Sequence, residues 1–212
     1  MYIVSRSTRF LRGLMLSYGP PSVKKRFWDQ EFSSGKWNFI DNTAGDCVYP
    51  ALEKYAHQGN VLDLGCGPGN TANEMAFDSY KSYVGVDISE EALAKATKRT
   101  AENGRSEKNS FACGDFLSFE PRQRFDVVLF RESMYHIPVG KILPILDKYS
   151  KHLTNDGVFV VRMYTSVNGK PKYRPTKMLN MIAANYEVIE RSHNSESGAA
   201  VIVFRPRISK AA

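Results

Sequence analysis

Short runs of apolar residues recur along the chain, and the segments between them carry apolar residues three or four positions apart. The runs hold Val, Leu, Ile and Phe at consecutive positions, which is typical of parallel strands buried on both faces. The intervening segments have the amphipathic spacing of helices. The strands predicted from the runs cover residues 61–64, 83–88, 109–116, 125–130 and 157–164.

Capping residues and prolines mark the ends of the predicted helices. Ser89 has the residue type of an N-cap, and Gly104 terminates the helix that Ser89 begins. Pro138 opens a later helix, which runs to about His152. Because proline lacks a backbone N–H, Pro144 is expected to kink that helix.

The last part of the chain departs from the alternation of strand and helix. Residues 165–174 are predicted to be a polar loop, and Pro175 begins a short helix. Two strands, Tyr186–Arg191 and Ala200–Arg205, follow with a turn of Ser, Asn and Gly between them, and they are expected to pair antiparallel. With the five earlier runs they predict an α/β fold. It is a doubly wound, seven-stranded, mostly parallel sheet with an antiparallel C-terminal hairpin strand and helices on both faces.

The first predicted strand leads into a loop with glycines at alternate positions, Gly65, Gly67 and Gly69. Glycine allows a sharp turn and lets a ligand approach the backbone, and a following helix presents its N-terminal N–H groups to an anion. A dinucleotide site needs glycine or alanine where this chain has Asn70. Asp63, just before the loop, suits a ligand with a cationic amine, such as S-adenosylmethionine.

Four motifs then follow one another in the order of a known enzyme family. They are V-L-D-L-G-C-G-P-G at 61–69, the acid Asp87, the pair Asp115-Phe116, and R-E-S-M-Y-H-I-P at 131–138. Through them the chain resembles the class I S-adenosylmethionine-dependent methyltransferases of the small-molecule type, over roughly residues 45–206.

This resemblance implies S-adenosyl-L-methionine as the cofactor. It places Asp87 on the ribose hydroxyls, as an acid does in dinucleotide folds, and Asp115 on the adenine amino group. The residues implied to bind the cofactor are Asp63, Gly65, Cys66, Gly67, Gly69, Asp87, Ile88, Asp115, Phe116 and Arg131. Simpler interpretations remain for single members, since Asp63 and Asp87 have the type of turn or capping residues and Cys66 that of a small core residue.

The segment after the fourth strand contains the candidates for catalysis. His136 is the best candidate for a general base, which methyl transfer needs when the acceptor must lose a proton. Glu132 and Tyr135 are expected to orient His136 or to bind an amine acceptor. A histidine at a helix start is also a common cap or packing residue. The segment lacks the N-P-P-Y-like motif of the family's adenine, guanine and amide methyltransferases, which argues against those acceptors.

Basic residues are concentrated at the N-terminus. The net charge of the chain is +7, and residues 1–26 contribute +6 of it because they contain no acid. Residues 1–21 admit several interpretations: an organelle-targeting peptide, a contact with an acidic membrane or RNA, a homodimer contact, or a flap over the cofactor site.

An aromatic segment follows this arm and contains both tryptophans, Trp28 and Trp37. In related small-molecule methyltransferases such a segment covers the cofactor pocket, and the alternative is that both are helix core residues. We expect residues 1–44 to be an arm and cap segment before a cofactor-binding domain over 45–212. Trp28, Trp37 and Tyr164 are the residues expected to contact the acceptor.

The spacing of the cysteines and the length of the apolar runs bear on disulfides, zinc sites and membrane spans. The three cysteines have irregular spacing, which predicts no disulfide framework and no zinc site. Apolar runs are too short to span a membrane, so a cytoplasmic protein is expected. The expected function is methyl transfer from S-adenosylmethionine to a hydroxyl, or an amine, of a small molecule. The alternatives are an RNA or protein methyltransferase that uses the basic arm, and a non-catalytic cofactor-binding scaffold.

Overall fold

A seven-stranded sheet forms the centre of the computed structural model, which describes residues 13–38 and 42–207. Five strands are parallel: β1 Asn60–Leu64, β2 Ser82–Asp87, β3 Asn109–Cys113, β4 Phe125–Arg131 and β5 Leu153–Tyr164. A separate hairpin follows, β6 Ser166–Val167 and β7 Lys170–Pro171, and then β8 Glu187–Asn194 and β9 Ala199–Arg205. The order is β3-β2-β1-β4-β5-β9-β8, with β9 antiparallel to both neighbours. The predicted fold class is confirmed.

Helices cover both faces of this sheet. They are α1 Pro21–Ser33, α2 Tyr49–Ala56, α3 Asn70–Glu74, α4 Glu90–Glu102, α5 Ile142–Ser150 and α6 Tyr173–Asn185. One apolar core joins α5 and α6 to one face, and a second joins α2 to the other. Strand β4 shows why the sequence is apolar at consecutive positions: Val128 and Phe130 belong to the first core, Val127 and Leu129 to the second.

The predicted ends of α4 are confirmed by its capping contacts. The Ser89 hydroxyl oxygen accepts a hydrogen bond from the N–H of Ala92 at 3.2 Å. Gly104 follows the helix with φ of +64°, in the left-handed region that glycine enters without a steric penalty. The N-terminus of α4 is therefore held in place beside the carboxyl end of β2.

The predicted helix from Pro138 to His152 is shorter than expected, and the predicted kink is wrong. A 3₁₀ turn over Val139–Lys141 comes first, and α5 begins only at Ile142. Pro144 therefore lies in the first turn of α5, where the N–H groups have no intrahelical partner in any case. The helix continues through Pro144 to Ser150 without interruption.

The predicted loop over 165–174 is also wrong, because it contains the β6–β7 hairpin. Asn168 and Gly169 form its turn and have φ of +50° and +71°. Two central residues with positive φ are the requirement of a type I′ turn, for which Asn-Gly is the preferred sequence. The hairpin leads directly into α6 and so gives the segment a defined position beside β5.

Across residues 13–38 and 42–207, no helix of the protein has the length and hydropathy that a membrane crossing requires.

Candidate active site

The carboxyl ends of the central parallel strands open into a cavity of about 530 Å³. Open α/β sheets bind their ligands at this edge. All the predicted site residues except Gly69 line the cavity. Gly69 is instead the N-cap of α3, and a Cβ there would lie 2.8 Å from the Cβ of Ala96. The glycine thus permits close packing of the loop on α4.

Gly65 brings the glycine loop against the segment that follows β4. Its φ is +84°, and a Cβ at this position would lie 2.5 Å from the Cβ of Ser133. Ser133 is 5% exposed, lines the cavity, and its hydroxyl has no hydrogen-bond partner among the described residues. Only glycine allows this approach, which leaves a buried polar atom at the cavity wall.

Asp63 is a buried carboxylate directly beneath the loop. The Tyr83 hydroxyl donates a hydrogen bond to its Oδ2, whereas its Oδ1 has no hydrogen-bond partner within the described ranges. Burial raises the pKa of Asp63 to about 6, although the Tyr83 hydrogen bond, the charge of Arg131 and the hydroxyl of Thr71 act in the opposite direction. A buried acceptor oxygen without a donor is costly, so this site favours a cationic or donor ligand.

Asp87, at the end of β2, is fixed by backbone donors. Its Oδ2 accepts from the N–H of Gly67 at 2.9 Å, and its Oδ1 accepts from the N–H of Ser89 at 2.9 Å. Burial raises the pKa of this carboxyl, while these N–H groups favour the charged form. Each carboxylate oxygen has a second lone pair, so both can still accept hydrogen bonds from neighbouring hydroxyls.

Asp115 is joined to α1 by a buried ion pair that the sequence did not indicate. The Nζ of Lys24 lies 3.2 Å from its Oδ2, and both side chains are only about a tenth exposed. The other oxygen accepts from the N–H of Leu117 at 2.9 Å. This contact holds α1 across the end of the cavity where Asp115 and Phe116 lie.

A network of four charged side chains forms another wall. Arg131 and Arg162 each lie 3.0 Å from Asp46, and Arg162 also lies 2.7 Å from Glu132. Burial opposes ionisation of Asp46, but the two guanidinium groups hold its pKa below the usual value. Burial raises the pKa of Glu132 in spite of Arg162. Arg162 is further stacked on the ring of Tyr164 at 4.1 Å.

The three residues predicted for catalysis all line the cavity, Glu132 and Tyr135 beside Tyr164 and His136 beside Trp28. Glu132 has φ of +56°, a left-handed conformation that is uncommon for a glutamate. Its Oε1 accepts from the backbone N–H of Tyr164 at 3.1 Å, and the same N–H lies 2.6 Å from the hydroxyl oxygen of Tyr135. The ring of His136 meets that of Trp28 edge to face at 5.1 Å.

The aromatic segment contributes rings to the wall of the cavity. The ring of Trp28 lies 5.9 Å from that of Trp37 and 6.0 Å from that of Phe32. Asp29 attaches α1 to α4, since its carboxylate accepts a hydrogen bond from the Ser89 hydroxyl at 2.8 Å. Trp28 therefore lines the cavity from a helix that rests on the N-terminus of α4, and Trp37 lines it from the turn that follows this helix.

Several residues of the site were missed in the sequence. Arg162 had a signal, because it is a charged residue inside the most apolar strand, V-F-V-V-R-M-Y. Ser133 lies within the fourth motif, at 131–138, but was not singled out. Lys24 and Asp46 had no signal, since each is brought to the cavity only by the packing of its segment.

Comparison with known proteins agrees with this geometry. A family model described as a methyltransferase domain matches residues 56–198. A sterol 24-C-methyltransferase of Aspergillus fumigatus is 30% identical over 157 residues, covering 67% of this chain and 41% of that protein. The chain thus spans less than half the length of that relative.

Two solved structures share the fold at low identity. The N-methyltransferase NodS of Bradyrhizobium japonicum, in complex with S-adenosylhomocysteine, has a TM-score of 0.67 and 18% identity over 87% of this chain and 98% of its own. Magnesium protoporphyrin IX methyltransferase of Synechocystis, also with bound S-adenosylhomocysteine, has a TM-score of 0.67 and 14% identity over 87% and 99%.

The fold and the cavity define a class I S-adenosylmethionine-dependent methyltransferase. The chain belongs to the family of methyltransferase domains. The residues present fit the cofactor: Asp63 and Ser133 offer buried polar atoms without partners, and Gly67, where a Cβ would meet only the ring of Phe32 at 3.8 Å, leaves the loop open to a close approach. Its relatives act on different acceptors, so the acceptor is a separate question.

Proposed function

We propose that this protein methylates a small molecule, with a hydroxyl as the preferred acceptor group and an amine as the second choice. The observation that carries the proposal is the position of α1, which sets Trp28 against His136 and bounds the space beside the candidate base with aromatic rings. A cavity of about 530 Å³ lies in the range of small-molecule sites. Glu132 and Tyr135 line the same space.

In this proposal, three acids of the sheet edge hold the cofactor. Asp63 binds its cationic amine, Asp87 accepts from the ribose hydroxyls, and Asp115 accepts from the adenine amino group beside Phe116. Arg131, which is paired with Asp46, also lines the cavity. It would donate a charged hydrogen bond to the carboxylate of the cofactor. When bound, S-adenosylmethionine supplies an activated methyl group on a sulfonium.

The chain's own contribution to the reaction is then orientation, exclusion of water and removal of one proton. His136 takes the proton of the acceptor hydroxyl, which frees an oxygen lone pair to receive the methyl group. Glu132 and Tyr135 position the acceptor, and Arg162 keeps Glu132 in place through the 2.7 Å contact. The aromatic rings of the cap keep the reacting atoms in a dry, fixed arrangement.

We also propose that residues 1–44 act as the cap of a cofactor-binding domain over 45–212. The contacts of Lys24 and Asp29 support a cap over the part of this segment that is described. The targeting, membrane, RNA and homodimer interpretations of the arm depend largely on residues 1–12, which lie outside the described residues.

A direct test is turnover with matched acceptors. Purified protein is first titrated with S-adenosylhomocysteine by calorimetry, then incubated with S-adenosylmethionine and small aromatic rings that differ only in carrying a hydroxyl or an amino group. We expect binding, and S-adenosylhomocysteine formation that is faster with the hydroxyl analogue. Turnover on RNA or peptide alone would contradict the proposal, and binding without turnover on any acceptor would favour the scaffold.

A further inference from the structure

A lysine-rich segment lies beside the acceptor end of the cavity, defined here as the part lined by Tyr135 and Tyr164. Residues 165–177 contain four basic residues and no acid. Arg174 donates to the carbonyl oxygen of Ile137 at 3.0 Å. Lys170, Lys172 and Lys177 form no ion pair with any acid in the described part of the chain. The β6–β7 hairpin and the start of α6 hold these three lysines in place.

Lys172 connects this group to the cavity. Its Nζ lies 5.7 Å from the ring centre of Tyr164 and 5.9 Å from that of Tyr135, and both rings line the cavity. On its other side, Lys172 and Lys177 line a surface groove of about 460 Å³. Lys172, a half-buried residue, therefore lies between the groove and the part of the cavity that Tyr135 and Tyr164 line.

The charges inside the cavity have the opposite balance. Five carboxylates and three cationic side chains line it, and each of the three cations is paired with one of those carboxylates. An anion in the interior would meet surplus negative charge, whereas an anion at the rim would meet lysines that have no acidic partner. The interior and the rim together favour a ligand whose reacting group lies within the cavity and whose negative charge lies at the rim, near the lysines.

We propose that Lys172 binds an anionic group, a phosphate or a carboxylate, at the non-reacting end of the methyl acceptor. Lys170 and Lys177 add to the local positive charge, and the apolar body of the acceptor lies against the rings of Tyr135 and Tyr164. This inference rests on the proposed function, since it concerns the acceptor of the same site. Three lysines within residues 170–177 match a single anionic group, whereas an RNA needs an extended basic track.

The test uses the fluorescence of Trp28 and Trp37, the chain's two tryptophans, which both line the cavity. Protein saturated with S-adenosylhomocysteine is titrated with phenyl phosphate, benzoate and neutral benzyl alcohol. We expect at least one anion to bind about tenfold or more tightly than the alcohol. The stronger of the two anions identifies the group as phosphate or carboxylate.

Three variants separate the role of Lys172 from general effects. Lys172→Gln is expected to abolish the preference for the anion, and Lys172→Arg to retain it. Lys81→Gln is the matched control, since Lys81 is an exposed lysine just before β2, at the opposite edge of the sheet. The control is expected to keep the full preference.

Several outcomes would overturn the inference. Equal affinity for the three ligands would do so, and so would an unchanged preference in Lys172→Gln. Poly(U) that displaces phenyl phosphate when its total phosphate concentration is below that of phenyl phosphate would indicate that the site binds a polyanion instead. If S-adenosylhomocysteine itself fails to bind, the proposed function falls and the inference with it. If it binds and only the anion preference is absent, the inference alone is wrong.

Discussion

At the scale of single residues, Asp63 shows how the site prepares for a charged ligand. A buried carboxylate is costly in its ionised form, and burial raises the pKa of Asp63 to about 6. A cation beside the free Oδ1 would restore the charged state. If Asp63 binds the cofactor amine, as proposed above, cofactor binding is linked to the release of a proton from this group.

This linkage predicts a pH dependence of affinity. Below about pH 6, binding of S-adenosylhomocysteine must displace a proton from Asp63, so the affinity falls by up to about tenfold per pH unit. Calorimetric titrations between pH 5 and 8 measure the affinity for S-adenosylhomocysteine at each pH. Asp63→Asn, which has no proton to release, is expected to bind more weakly and with a flatter pH profile. Parallel profiles for the two proteins would contradict the assignment.

Asp63 also affects the stability of the free protein, and here a fall in pH has the opposite effect: it increases stability, whereas it lowers the affinity for the cofactor. Its folded pKa of about 6 lies above the ordinary value of 3.8, so the folded protein binds this proton more readily than the unfolded chain. The contribution of Asp63 to the free energy of unfolding therefore rises as the pH falls from about 7 to 4.

His136 is the residue on which the chemistry is expected to depend. Replacing it with glutamine keeps a side chain of similar size but removes the base. We expect His136→Gln to lower kcat by about 10²-fold, with the affinity for S-adenosylhomocysteine unchanged. Steady-state kinetics and calorimetry measure the two quantities. Unchanged turnover would show that the acceptor needs no base or that another residue supplies it.

At the scale of elements, α1 acts on the site through its attachment to α4. Asp29 accepts from the Ser89 hydroxyl, which also caps α4. Asp29→Ala should loosen the cap and weaken S-adenosylhomocysteine binding by about tenfold, because a charged hydrogen bond is lost. Asp78→Ala, at an exposed acid in the turn before β2, is the control. Equal affinity in both variants would mean that α1 does not contribute to binding.

The elements also show which local signals are reliable. The N-cap Ser89 and the stop at Gly104 were predictable because each acts within one turn of its own helix. The kink at Pro144 was wrong because its effect depends on where the helix begins, and that is decided by the preceding 3₁₀ turn. The Asn168-Gly169 turn was predictable in principle, since the dipeptide carries its own conformational preference.

At the scale of the whole molecule, cofactor binding should stabilise the fold. The cavity joins segments from the ends of several strands with α1, so a ligand that bridges them favours the folded state. S-adenosylhomocysteine at a hundredfold excess over its Kd is expected to raise Tm by about 5 to 10 °C. Thermal unfolding with and without ligand measures the shift, and adenosine at the same concentration is the control. A shift below 1 °C would contradict cofactor binding at this cavity.

The sequence by itself determined the sheet, the glycine loop and the acids at the strand ends, because apolar periodicity, turn residues and capping act over a few neighbouring positions. The tertiary structure alone decided that Lys24 meets Asp115, that Arg162 joins Asp46 to Glu132, and that Lys172 faces the rings of Tyr135 and Tyr164. These pairs join different elements and, apart from Lys172 with Tyr164, lie about 30 or more residues apart. Their distances depend on how whole elements pack, which no local pattern encodes.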